Sequence, residues 1–246
     1  MLWKYKSIAN LPFIEALVLR DEIYFSSPPE LNDPSETRFH FRFDYSINYE
    51  DLENNFRRLQ PNATDAELVE LVAQLVDGRA FQGLEKSLRE ALFDQFRLFC
   101  LTKTATNPLM WAHYADNHAG LCVGIDMDRL LASCHVAVHG EVRYQDEPFS
   151  LKFDGKDDLD ALLWRLAGAL FTKDRRWSYE QEVRLATFKE PAIQCAPEAV
   201  RSVVLGLRAS AQTRALVMRW KDMRPHLDIL EARQAGSFEL ALCKVT

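Results

Sequence analysis

Residues 121–126 read LCVGID, a short apolar run with a glycine inside it. A run of this length bounded by turn residues reads as a β-strand, and Gly124 within it marks a close approach by another part of the chain. Similar short segments recur along the sequence: LWKYKS at the start, EIYFSS, FRLFCLTKT, EVRYQ, EVRLATF, AVRSVVLG, LDILEAR and FELALCKV. About eight short strands and five helices are expected, segregated along the chain and not strictly alternating, which favours an α+β fold. No internal repeat, low-complexity segment or linker interrupts the 246 residues, so residues 1–246 read as a single domain.

The helices carry their own signals. NLPFIEALVLRD has Asn10 as N-cap, Pro12 in the first turn, and Phe13, Leu17 and Leu19 broadly on one face. From about 48 to 97 the chain turns helical and charged, and reads as a helical insertion. TDAELVELVAQLVDG opens there on a capping box, Thr64 with Glu67, and LEKSLREALFDQF is a second amphipathic helix. NPLMWAHYADNHAG is a short helical segment ending at Gly120, and further helices are expected over 157–174 and 210–221. Between the early strands and the insertion, PPELNDPSE is a loop rich in turn residues.

Composition narrows the function classes. The formal net charge is −6 and the pI is near 5.6, so no general basic field is available to hold DNA or an anionic membrane. Five cysteines, at 100, 122, 134, 195 and 243, form neither a C-x-x-C nor a zinc-ligand spacing. Cys100, Cys122 and Cys243 lie in apolar strand-like runs and are expected to be buried, inert thiols. Reduced thiols, the lack of a signal-peptide pattern and the lack of a membrane-length apolar stretch together point to a cytoplasmic protein away from membranes. No dinucleotide fingerprint, P-loop, H-E-x-x-H, calcium loop or nucleophile elbow occurs, and His113 and His118 are five apart, the wrong offset for one helical face. No metal is expected.

What remains are four polar-aromatic islands: Lys4-Tyr5-Lys6-Ser7; Ser26-Ser27 with Asn32-Asp33; Trp111-Ala112-His113-Tyr114; and Trp177-Ser178-Tyr179 with Glu180, Glu182 and Arg184. Taken one at a time, each has an ordinary structural explanation. Trp111 and Tyr114 suit a helix core, Asn32-Asp33-Pro34 suits a turn, and Glu182 with Arg184 suits a same-face ion pair. RRWSYEQEVRLATF, however, puts Glu180, Glu182 and Arg184 on one side of an expected strand.

YFSSPPELNDPSE, MWAHYADNHAGLCVGID and WSYEQEVRL resemble the signature of a bacterial family known as a domain of unknown function, DUF2971. A more distant resemblance is to the ADP-ribosyltransferase fold, in particular its DNA-modifying toxin branch. WKYKSIANLPFIEALVLRDEIYF is similar to that fold's opening strand, helix and second strand. LFCLTKTATNPLMWAHY is similar to its next strand and polar loop, and EQEVRL to the late strand that bears the catalytic glutamate. The resemblance implies a split antiparallel or mixed sheet carrying a helical insertion. It also implies an enzyme that cleaves the nicotinamide–ribose bond of NAD and transfers ADP-ribose to a nucleic acid or protein, as a toxin or anti-phage effector would. Its partners would be NAD, that acceptor, and an antitoxin or regulatory protein.

On that resemblance the catalytic carboxylate is Glu182, with Glu180 the alternative. Lys4, Tyr5, Ser7, Ser26, Asn32, Asp33, Trp111, His113, Tyr114 and Arg184 would bind NAD. The chemistry suits such residues. Losing nicotinamide makes the ribose cationic while the leaving base is neutral, so one fixed carboxylate stabilises the transition state and no metal is needed. Aromatic faces stack the ring, hydroxyls hold the ribose, and Lys4 or Arg184 neutralises phosphate. Two alternatives stand beside this. One is a non-catalytic module binding a nucleotide or peptide; the other is a metal-dependent nuclease or hydrolase using Asp33, Glu36 and His113.

Overall fold

The computed structural model describes residues 1–43, 50, 53, 54, 57, 62–76, 79–153 and 159–245. Two compact units emerge. The first comprises Met1–Ser26, Arg97–Val142 and Arg176–Thr246; the second comprises Ser27–Phe96 and Arg143–Arg175.

The first unit is built on one eight-stranded sheet. Its strands are β1 (Leu2–Lys6), β4 (Phe96–Thr102), β5 (Leu121–Ile125), β6 (Val138–Glu141), β10 (Glu182–Phe188), β12 (Val200–Leu205), β13 (Asp228–Gln234) and β14 (Leu240–Lys244). The spatial order is β14-β13-β12-β5-β1-β4-β10-β6. β12 and β13 run parallel, whereas β1–β5, β1–β4, β5–β12, β6–β10 and β13–β14 are antiparallel. With helices packed on a mixed sheet, the α+β class expected from the sequence is the one found.

β5 lies at the centre, buried along its whole length. Its odd-numbered members face one side, where Leu121, Val123 and Ile125 meet Ile14 and Leu17 of α1 (Leu11–Leu19). Trp220 of the C-terminal helix, Ala211–Met223, joins the same cluster. Cys122 faces the other side with Tyr5, Val204 and Trp111. Gly124 does what its position in the run suggested. A Cβ there would come within 2.8 Å of the Trp3 ring, so only glycine lets that indole cross β5.

A two-stranded pair completes the unit. β11 (Ala192–Gln194) runs antiparallel to β2 (Glu22–Tyr24). The second unit holds two further pairs, both parallel: β3 (Phe39–Phe43) with β8 (Phe149–Phe153), and β7 (Arg143–Gln145) with β9 (Thr172–Asp174). Its helices include α2 (Asp65–Val76), α3 (Arg79–Gln95) and α6 (Leu159–Leu166). The Thr64–Glu67 capping box forms as expected, with Thr64 N–H donating to Glu67 Oε2 at 2.8 Å and Glu67 N–H donating to Thr64 Oγ1 at 3.3 Å. Much of the stretch from 48 to 61 that was expected to be helical lies outside the described residues.

Several expectations need correction. Among the described residues there are fourteen strands, not about eight; those missed are three to five residues long, and two of them, FHFRF and FSLKF, alternate apolar and polar residues yet are too short to stand out. Asn10 makes no side-chain cap. Ser7 instead caps a single 3-10 turn, Ile8–Asn10, that precedes α1, its hydroxyl accepting from Ala9 N–H at 3.0 Å. Phe13 is 44% exposed and tilts against Tyr24, while Ile14, Ala16, Leu17 and Val18 form the buried face. The helix expected over 157–174 gives way after Leu166 to a 3-10 segment, Ala167–Phe171, and then to β9. Cys100 and Cys243 are only partly buried.

Candidate functional site

The α4 helix (Pro108–Tyr114) packs on β1 from the side of the sheet opposite α1, in one cluster with Cys122 of β5, Val204 of β12 and Ala232 of β13. Asn107 starts it, its side chain accepting from Leu109 N–H at 2.9 Å while its amide donates to Tyr179 O at 2.7 Å. Trp111 is fully buried beneath this helix. Its indole N–H donates to Ala105 O at 2.8 Å, and Tyr5 meets it edge-on with ring centroids 5.1 Å apart. The Tyr5 hydroxyl donates to Thr104 O at 3.1 Å, and burial pushes its pKa far above the usual tyrosine range.

The chain beyond α4 is strained. Asp116, Asn117 and His118 have φ of 49°, 50° and 72°, three successive left-handed residues. Asp, Asn and His are the non-glycine types that best tolerate this region. The loop is tied at both ends: Ile8 N–H donates to Asp116 Oδ2 at 2.7 Å, and Arg208 N–H donates to His118 O at 2.8 Å. The His118 ring stacks nearly parallel to Trp111 at 6.5 Å.

Next to α4 comes the stretch that carries the acids. The sequence put Glu180, Glu182 and Arg184 on one strand, but β10 begins only at Glu182. Glu180 ends a 3-10 segment, Arg175–Glu180, and Gln181 between the two glutamates is left-handed with φ 46°. That kink takes Glu180 out of strand register without exposing it, since it is only 2% accessible. The Tyr114 hydroxyl donates to Glu180 Oε1 at 2.5 Å, and the Thr102 hydroxyl donates to Glu180 O at 2.5 Å. Burial first, then the hydrogen bond to Glu180, raises the Tyr114 pKa well beyond its ordinary value, which keeps the phenol a donor.

Glu182 is 7% exposed and Arg184 not at all. They form a bidentate pair within one strand face, Arg184 Nε donating to Glu182 Oε1 at 3.0 Å and Nη2 to Oε2 at 2.8 Å. The Cys100 thiol contacts Glu182 from β4, and burial followed by that carboxylate pushes its pKa up to about 12. Outside the buried acids, four rings follow one another along the surface. Trp177 and Tyr179 have centroids 6.1 Å apart, Tyr179 and His113 6.1 Å, and His113 and Tyr114 6.4 Å.

Of the residues picked from sequence, Tyr5, Trp111, His113, Tyr114, Glu182 and Arg184 therefore gather on one side of the sheet. The others do not. Lys4 alternates with Tyr5 and points to the α1 side, its ammonium 5.1 Å from the Phe99 ring centroid and donating to Cys100 O at 2.7 Å. Ser7 caps its local turn. Ser26 pairs through its backbone with Leu98, donating at 2.8 Å and accepting at 2.7 Å. Asn32 and Asp33 belong to the second unit, where Asp33 Oδ1 accepts from Ser35 N–H at 2.8 Å in an Asx turn. Thr102, Thr104 and Asn107, which clamp the Tyr179–Glu180 backbone and Tyr5, were not singled out; a TKTATN run following a strand was the available signal.

The second unit has a cleft of about 200 Å³, lined by residues that include Asp33, Glu36, Arg38, Glu147, Lys173 and Asp174. At its base Lys173 Nζ meets Glu36 Oε1 at 2.7 Å, both side chains almost wholly buried. Among the described residues, no group of three or more His, Cys, Asp or Glu side chains is arranged to hold a metal ion, and no helix is long and apolar enough to cross a membrane.

Fold and site together define a mixed-sheet α+β protein with an aromatic-edged carboxylate–guanidinium cluster at the head of one strand. Residues 110–185 match the family model described as "Protein of unknown function (DUF2971)", which contains both the MWAHYADNHAGLCVGID and the WSYEQEVRL segments. The YFSSPPELNDPSE stretch lies outside the matched residues. No curated protein and no solved structure matches the chain.

Proposed function

We propose that this protein is an ADP-ribosyltransferase-like enzyme that cleaves the nicotinamide–ribose bond of NAD and passes ADP-ribose to a nucleic acid or protein acceptor. The observation that carries the reading is the strip of four rings, Trp177, Tyr179, His113 and Tyr114, leading to two buried carboxylates at the head of β10. Planar faces at that edge suit nicotinamide or adenine. Glu182, held bidentately by Arg184, is the carboxylate that would face the ribose as it becomes cationic, and its fixed geometry lowers the reorganisation the reaction needs. Arg184 acts here as the orienting residue, not as a phosphate ligand. Tyr114 fixes Glu180 beside it. Trp111 is too deeply buried to touch NAD and instead supports Tyr5 from below.

A second reading draws on the same ion pair. A carboxylate already neutralised by a fully buried guanidinium offers less charge to a cationic ribose, which suits a module that captures a nucleotide or peptide on the aromatic strip without reacting. Incubation with NAD labelled in the adenylate part separates the two. The enzyme reading expects consumption of NAD and label on an acceptor, both lost in Glu182→Gln. The binding reading expects an NAD-dependent rise in melting temperature with no consumption. Neither consumption nor a thermal shift removes NAD from both.

A further inference from the structure

Ser133 and Cys134 close the α5 helix (Met127–Ser133), and each reaches the chain beside Cys195. The Ser133 hydroxyl accepts from Ala196 N–H at 2.9 Å, and the Cys134 thiol donates to Gln194 O at 3.3 Å. Cys195 lies between those two anchors. Its own N–H and thiol both donate to Asp21 O, at 2.8 Å and 3.2 Å. The Cys134 and Cys195 thiols are electrostatic neighbours, each shifting the other. All these residues belong to the sheet unit, and both cysteines are buried.

We propose that Cys134 and Cys195 form a reactive dithiol, a modification site that a small peroxide converts reversibly into an intramolecular disulfide. Two contacts from consecutive residues of one helix end, Ser133 to Ala196 N–H and Cys134 to Gln194 O, bracket Cys195 and set the Cys134 thiol beside it. The two thiols are also unlike. Its contact with Cys195, and secondarily the one with Ser133, lowers the Cys134 pKa to about 7, against the effect of burial. The same contact and burial push the Cys195 thiol far up.

Cys134 is therefore the attacking thiolate. Its sulfur takes one oxygen from hydrogen peroxide as the O–O bond breaks, giving Cys134 sulfenic acid and, with a proton, one water. The Cys195 sulfur then attacks the Cys134 sulfur. The S–S bond forms, the S–O bond breaks, and the hydroxyl leaves as a second water with the Cys195 proton. Two thiols and one peroxide give one disulfide and two waters, and a dithiol reductant returns the pair by exchange. The remaining cysteines differ. Burial raises Cys122 well above its usual value, and Cys100 is pushed up to about 12.

The test is peptide mapping of the folded full chain after roughly equimolar hydrogen peroxide, with free thiols alkylated on unfolding. The expected result is a Cys134–Cys195 linked peptide, an intact mass lower by about 2 Da, and full alkylation of Cys100, Cys122 and Cys243. In Cys195→Ser, Cys134 should halt at the sulfenic acid and be captured by dimedone. Should that variant not fold, the wild-type map decides by itself. Cys134 and Cys195 both fully alkylated after the peroxide is consumed, or a disulfide joining any other pair, would overturn the proposal.

Discussion

On the α1 side of the eight-stranded sheet, Leu121, Val123, Val203, Leu205 and Leu185 meet Ile14, Leu17, Val217 and Trp220 in an almost wholly aliphatic layer. On the other side, β1, β4 and β10 present Tyr5, Cys100, Glu182 and Arg184 beneath α4. Both layers are buried, yet their failure modes differ. An aliphatic layer loses transfer energy and gains a cavity when trimmed, in proportion to the atoms removed. A polar layer in low dielectric is stable only while every member keeps its partner, so one deletion costs more than the deleted contact was worth.

The largest effect should come from breaking the ion pair on one side only. Arg184→Met leaves Glu182 buried without its bidentate partner and should cost about 3–5 kcal/mol in denaturant unfolding. Replacing both, with Glu182→Leu and Arg184→Met, should recover most of that stability. A double variant as unstable as the single one would erase the distinction between the layers. On the aliphatic side Leu205→Ala should cost about 2–5 kcal/mol, with no second change that rescues it by removing a partner.

Tyr114→Phe is gentler. It takes the donor from Glu180 and should lower stability by about 1–3 kcal/mol. The remaining effect is a pH slope. Lys6 sits half-buried beside the Phe13 ring, and desolvation, then Lys4, lowers its pKa to about 7. Between that value and the unfolded lysine value of about 10.4, the unfolded chain keeps a proton that the folded chain has lost, so this group makes stability rise with pH across that window. Below pH 7 both states are protonated and its contribution is flat. Lys6→Met should remove the slope, as read from melting temperatures between pH 7 and 10.

The same contrast explains what the sequence let through. The aliphatic layer was legible because short apolar strands and an amphipathic helix announce themselves, and Gly124 pointed correctly to a close crossing, by the Trp3 ring. On the polar side the gathering of Tyr5, Trp111, Tyr114, Glu182 and Arg184 was legible as islands at strand ends. Two things were not. Alternation suggested one straight face for Glu180, Glu182 and Arg184, because nothing local announces that Gln181 adopts a left-handed conformation. Lys4 and Tyr5 were grouped because they are adjacent, although adjacency on a strand sends side chains to opposite faces. Asn32 and Asp33 entered through the YFSSPPELNDPSE loop, and they belong to the other unit.

The most direct test is the release of nicotinamide from saturating NAD, followed for wild type and Glu182→Gln, with melting curves confirming that both are folded. A carboxylate that steadies a cationic ribose predicts a fall of roughly 10²–10³ in kcat for the glutamine variant, with NAD affinity little changed. Equal rates in the two proteins, or no release by wild type, would contradict the account.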